Sequence, residues 1–212
     1  AYRPAKSKER DSFSDSPTRK MIKLLIATTN PGKLAEIKRF LKDLPIILVS
    51  LRDIGIADVV KETGKTFEEN AILKATYYAK KSGLPTIADD GGLEIDALNG
   101  EPGVKSHRWI HGDREDEDEE LIQYALKKMR SLPRARRGAQ LRAVLALALP
   151  SGDVHTATAA TRGIIPQKAS PVRVAGFPYR SLLYIPEIGK FYNHNELTPD
   201  ETDRYNHRKK AL

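Results

Sequence analysis

The chain has 212 residues, 40% hydrophobic and 30% charged, and contains no cysteine. That balance is globular; it excludes disulfides, thiol catalysis and cysteine-based zinc sites, and no apolar run approaches the ~20 residues of a membrane span. The net charge of +8 suits a polyanionic ligand, either nucleic acid or nucleotide phosphate.

Residues 1–20 carry six Lys/Arg, three Asp/Glu and four serines with almost no apolar side chains, so a disordered tail is expected there. Met21 opens the apolar pattern and is a candidate start residue. Residues 22–27 read as a strand, 33–44 as a helix through Leu34, Ile37, Phe40 and Leu41, and 45–49 as a second strand. A helix over 66–82 opens on a capping box, Thr66 with Glu69, and buries Phe67, Ala71, Ala75 and Tyr78. Gly83-Leu84-Pro85 ends it before a short strand at 86–88. A helix at 120–130 precedes two long strands, 139–149 and 153–165, joined by Pro150-Ser151-Gly152. A strand at 181–185 and a helix from Thr198, Pro199 and Glu201 to the end complete an α/β class with a mixed sheet.

Four segments carry candidate chemistry. Thr28-Thr29-Asn30-Pro31-Gly32-Lys33 joins a strand to a helix, where free N–H groups and Lys33 suit an anion. It is not a Walker A loop, because Leu34 stands where Ser or Thr is required. Asp89-Asp90-Gly91-Gly92 follows the apolar strand, and paired carboxylates there suit Mg²⁺ and proton transfer; a polar turn is the plain alternative. Glu62 is a further ligand candidate or a solvated loop acid, and Asn70 and Lys74 share one helix face. His207-Arg208 offers planar donors to a phosphate or base carbonyl, or completes a basic helix end. The acid-rich stretch 113–120 reads as solvated, and 134–137 as a basic loop; His107, His111, His155 and His194 have no metal-ligand spacing.

Together these segments resemble the inosine triphosphate pyrophosphatase family from about Met21 to Leu212. The segment from Ala88-Asp89-Asp90-Gly91-Gly92-Leu93-Glu94 through Asn99-Gly100-Glu101-Pro102-Gly103 carries most of the likeness, and Asn206-His207-Arg208 closes it. The resemblance implies an elongated two-lobed α/β fold over residues 21–212, with a long central mixed sheet flanked by helices and a cleft between the lobes. It implies a cytoplasmic homodimer that cleaves ITP, dITP and XTP to the monophosphate and pyrophosphate with Mg²⁺. By motif, Asp90 is the catalytic proton acceptor, and Asp90, Asp89 and Glu62 hold the metal. Thr28, Thr29, Asn30, Pro31, Gly32, Lys33 and Lys74 hold the phosphates; Gly91, Phe177, Pro178, Tyr179, Arg180, Lys190, His207 and Arg208 complete the substrate site. A membrane role is not expected and nucleic acid is an unlikely ligand.

Several positions depart from the family's usual pattern, among them Lys61, Ser181, Asn206 and three in the substrate site. Gly91 replaces a serine, Pro178 a glycine, and Arg180 an aspartate able to accept the N1–H of a 6-oxo purine. Arginine only donates, which implies a weaker preference for inosine over canonical bases. The sequence therefore leaves two rivals open: the same chemistry on another nucleotide, or a nucleotide- or nucleic-acid-binding protein with weak turnover. The retained Asp89-Asp90 pair argues against the second, since pure polyanion binding gains from losing both charges.

Overall fold

The computed structural model describes residues 21–212; the tail expected over 1–20 lies outside the described residues. Seven strands form one mixed sheet in the order β2-β1-β3-β4-β5-β6-β7. β1 (Ile22–Ile26) lies parallel to β2 (Ile46–Ser50) and to the start of β3 (Thr86–Ile95). The antiparallel hairpin of β4 (Gly138–Ala148) and β5 (Val154–Ile164) continues the sheet, followed by the two-residue strands β6 (Tyr184–Ile185) and β7 (Lys190–Phe191). The parallel pairs are joined by α1 (Pro31–Leu41) and α2 (Phe67–Ser82), as long crossovers require.

Side chains alternate across the strands, so neighbours enter different cores. On one face Leu25, Ala88 and Val144 pack under α2, through Phe67, Ala71, Ala75 and Tyr78. On the other, Ile26, Ile87 and Leu145 meet Ile37 and Leu41 of α1 and Ala211 of the last helix. A third cluster joins the far halves of β3 and β4 to α3 (Asp118–Lys128) through Leu93, Ile95, Leu141, Leu121 and Ile122.

Three expectations need correction. The strand at 86–88 runs on to Ile95, because β4 pairs with it from Thr86↔Ala148 to Ile95↔Ala139; Asp89-Asp90-Gly91-Gly92 are ladder residues rather than a turn. The strand expected at 181–185 is only Tyr184–Ile185, preceded by a 3₁₀ turn over Pro178–Ser181. The terminal helix is two: α4 (Pro199–Tyr205) stops at Asn206, extended at ψ 111°, whose Oδ1 accepts from Lys209 N and starts α5 (His207–Ala211).

Candidate active site

The site forms where β1 runs out. Its pairing with β3 ends at Ile26↔Ile87, so the next residues of β3 keep a partner only on the β4 side. Alternation then sends the two aspartates to opposite faces. Asp90 points toward α2, where Asn70 Nδ2 donates to its Oδ2 at 3.0 Å and Lys74 Nζ lies 3.9 Å from Oδ1. Asn70 Oδ1 in turn accepts from Gly64 N at 2.7 Å, tying the 61–65 loop to the carboxylate. Lys74 also donates to Glu62 at 2.5 Å. Burial raises the Asp90 carboxyl above the usual aspartate range, Glu62 pushes the same way, and Lys74 and Lys33 oppose them. Glu62 is held below its ordinary value, because Lys74 outweighs the effect of burial.

Asp89 points to the α1 face and is closed off from the cleft. Its Oδ2 accepts from Arg208 Nε at 2.9 Å and pairs with Lys33 Nζ at 3.3 Å; its Oδ1 is buried with no partner among the described residues. Burial would raise its carboxyl, but Lys33, Arg208 and Lys74 together hold it well below the aspartate range. At the start of α1, Asn30 caps through Lys33 N (3.1 Å), Pro31 has no N–H, and Thr28 Oγ accepts from Asn30 N. Of this turn, Thr28, Thr29 and the Lys33 ammonium face the cleft, whereas Gly32 lies under Phe177. Residues 28–31, Lys33, Glu62, Lys74, Asp90 and Gly91 line one cleft of about 410 Å³.

Beside it, Phe177 and Arg180 separate a small cavity of about 40 Å³ from a larger one of about 310 Å³. Pro178, Tyr179, His207 and Arg208 line the small cavity, which also reaches Lys33 and Gly91. The edge of Phe177 fits over Gly32, where a Cβ would lie 2.2 Å from the ring. Tyr179 is buried with its hydroxyl donating to Ser106 O, which fixes the turn after it. His207 Nδ1 meets Tyr192 Oη at 3.0 Å; burial, then Arg208 and Arg180, keep its imidazole neutral. The structure gathers the expected residues with two exceptions. Asp89, expected as a metal ligand, is sent by strand alternation to the other face, where Lys33 and Arg208 hold it. The second, Lys190, lines none of these cavities and pairs with Glu201 at 2.7 Å.

A family model described as Ham1 family matches residues 24–212. The chain belongs to the Ham1 family. It is 44% identical over 191 residues to a Thermus thermophilus protein named dITP/XTP pyrophosphatase, covering 90% of this chain and 88% of that one. A Bacillus subtilis protein of the same name is 38% identical over 192 residues, covering 91% and 94%. Among solved structures, the Staphylococcus aureus Ham1 protein superposes with a TM-score of 0.74 at 32% identity, covering 89% of this chain and 93% of its own. A structure from Mycobacterium abscessus titled nucleoside-triphosphatase, dITP/XTP pyrophosphatase gives 0.69 at 37%, covering 89% and 96%.

This Ham1 chain also uses residues that sequence reasoning passed over. Glu36, one turn after Gly32 on α1, accepts from Arg180 Nη2 (2.6 Å), Arg208 Nη1 (2.5 Å) and Asn206 Nδ2 (3.0 Å). Those arginines hold its carboxyl below the glutamate range despite burial. Its i+4 spacing from Gly32 was the only signal available. The stretch 113–120 is not simply solvated. Asp116 is buried and accepts from Ile110 N, Asp118 Oδ2 accepts from Gly176 N at 2.8 Å, and Glu120 caps Glu117 N. Nor is 134–137 only a basic loop: Arg137 is buried and donates to the carbonyls of Ile165, Met129 and Pro166. His111, Asp116 and Glu120 bring ligand atoms within 4.8 Å of one another; His111 Nδ1 meets Asp116 Oδ1 at 2.6 Å, and Arg114 Nη2 lies 3.1 Å from the other ring nitrogen. Among the described residues no helix is long and apolar enough to cross a membrane.

Proposed function

We propose that this chain hydrolyses the non-canonical purine triphosphates ITP, dITP and XTP to the monophosphate and pyrophosphate, using Mg²⁺. The observation that carries the reading is the cleft itself: a buried aspartate of raised basicity beside two lysines and an acidic loop residue. Lys33 and Lys74 draw the phosphate chain toward Asp90. There Asp90 takes the proton of the water attacking the α-phosphorus, and the bond to the bridging oxygen breaks. The lysines then face the charge that develops on the leaving pyrophosphate.

The donor set fits the metal. Glu62 and Asp90 present carboxylate oxygens to the same cleft and would hold the metal, whereas Asp89 is turned to the other face. The charges agree: Lys33, Lys74 and Arg108 line the cleft against Glu62, Asp90, Glu115, Asp116 and Asp118, three against five. A cleft with an acidic excess needs a cation to accept a triphosphate. Bound Mg²⁺ would supply that charge and polarise the phosphate oxygens. The names of the Thermus and Bacillus relatives support the substrate class. The reading extends to the cytoplasmic homodimer that family resemblance implies.

The test is a panel of nucleoside triphosphates with Mg²⁺, scored for pyrophosphate against orthophosphate. Pyrophosphate from ITP, dITP and XTP is expected. Orthophosphate alone would mean cleavage at the γ-phosphate and refute the reading.

A further inference from the structure

Of the three cations that line the phosphate cleft, Lys33, Lys74 and Arg108, two are already committed. Lys33 pairs with Asp89 at 3.3 Å, and Lys74 with Glu62 at 2.5 Å. Arg108 is half-buried, and its side chain makes no hydrogen bond or ion pair among the described residues, although carboxylates line the same cleft. Those acids are held by others: Glu62 by Lys74, Asp90 by Asn70, Asp116 by Ile110 N and Asp118 by Gly176 N. The Arg108 charge still reaches the cleft wall. Against burial, Lys74 first, then Lys33 and Arg108, hold the Glu62 carboxyl below its ordinary value. The backbone around Arg108 is pinned from three directions. Ser106 Oγ accepts from Leu93 N of β3 at 3.1 Å, the Tyr179 hydroxyl donates to Ser106 O at 2.5 Å, and His107 O accepts from Asp116 N at 2.8 Å. An uncommitted guanidinium is thus carried into the cleft on a fixed frame.

Resting on the hydrolase reading above, we propose that Arg108 grips the β- and γ-phosphates of the substrate, the part that leaves as pyrophosphate. Its place along the cleft argues for that end. Ser106 and His107 line both the phosphate cleft and the small cavity that holds His207 and Arg208, whereas Arg108 lines the cleft alone. A nucleotide with its nucleoside toward the small cavity and its α-phosphorus at Asp90 runs its outer phosphates toward Arg108. A guanidinium offers a planar fork that matches two phosphate oxygens, and such charge-assisted hydrogen bonds are the strong kind. Lys33 and Lys74 must share themselves with carboxylates to bind the same chain. Arg108 gives up no partner.

The experiment titrates pyrophosphate and IMP separately, with Mg²⁺, into the wild-type protein, Arg108→Gln and Arg108→Lys by calorimetry, and measures kcat/KM for ITP by pyrophosphate release. IMP carries only the α-phosphate, so it reports on the rest of the site. Arg108→Gln is expected to weaken pyrophosphate binding and lower kcat/KM by about tenfold or more, the size of one charge-assisted hydrogen bond. IMP binding should not change. Arg108→Lys keeps the charge without the fork and should fall between the two. Pyrophosphate affinity unchanged in a folded Arg108→Gln protein, or in Arg108→Lys where only that variant folds, overturns the proposal. So do equal losses for pyrophosphate and IMP, which mark a structural role, and a wild type that binds no pyrophosphate. A wild type that binds pyrophosphate through Arg108 yet releases none from any triphosphate refutes the hydrolase reading and leaves the anion site standing.

Discussion

Asp90 and Asp89 are adjacent in sequence, yet the strand's alternation gives them opposite environments and opposite acidities. Asp90 is buried beside Glu62, which raises its basicity; Asp89 sits between Lys33 and Arg208, which abolish it. Only the first is suited to take a proton at working pH, since an effective base needs a pKa drawn toward that pH. Asp90→Asn keeps the shape and leaves Asn70 a carbonyl partner while removing the base. Loss of a general base costs about 10²–10⁴-fold, so pyrophosphate release should fall at least that far with an unchanged circular dichroism spectrum. A folded variant retaining about a tenth of wild-type turnover, above that range, would rule Asp90 out.

β3 is the element that makes this arrangement possible, because it outlasts its partner β1 and remains paired to β4. Gly91 belongs to that pairing. A Cβ there would lie 2.3 Å from Arg142 O and 2.9 Å from Ala143 Cα, both backbone atoms of β4 that cannot turn aside. The serine usual in the family at this position therefore does not fit this sheet as it stands. Gly91→Ser is expected to destabilise the protein by about 1–3 kcal/mol, the typical cost of overpacking. Scanning calorimetry would read this as a lower Tm, and an equal or higher Tm would show that the ladder accommodates the side chain. The break at Asn206 has a comparable role. By ending α4 and capping α5 it turns His207 and Arg208 inward, where both are buried.

Across the molecule, the buried ion pairs Lys33–Asp89, Asp89–Arg208, Arg208–Glu36 and Glu36–Arg180 tie α1, β3, the 177–181 turn and α5 together by charge. Glu36 and Asp89 are held below their ordinary values of 4.5 and 3.8, each because arginine or lysine outweighs burial. With the folded pKa depressed, the unfolded chain binds more protons in that range. The stabilisation is therefore complete above the ordinary carboxylate values and is lost as pH falls through and below them. Tm should drop steeply below about pH 4.5, the region where unfolded glutamate titrates. Glu36→Gln should be less stable at neutral pH by about 3–5 kcal/mol, as when one partner of a buried pair is removed. It should also show a shallower fall between about pH 5 and 3, since one depressed carboxylate is gone. Parallel acid profiles for the two proteins would mean that Glu36 does not carry this term.

Local order in the chain decided much of this protein. Apolar periodicity placed the main helices and the long strands, capping residues placed the starts of α1, α2 and α4, and the ordered motifs marked the family and many of the residues that line the cleft. These features depend on neighbours three or four residues apart or on strand alternation, so they can be read without the fold. What tertiary structure decided depends on partners far away in sequence. Pairing with β4 carried the strand through Asp89-Asp90 and beyond, and so divided the two carboxylates between faces. Glu36 acquires its role only when Arg180, 144 residues on, and Arg208, 172 residues on, fold back to it. Lys190, plausible by motif, is drawn instead to Glu201, because the nearer carboxylate at the start of α4 satisfies it.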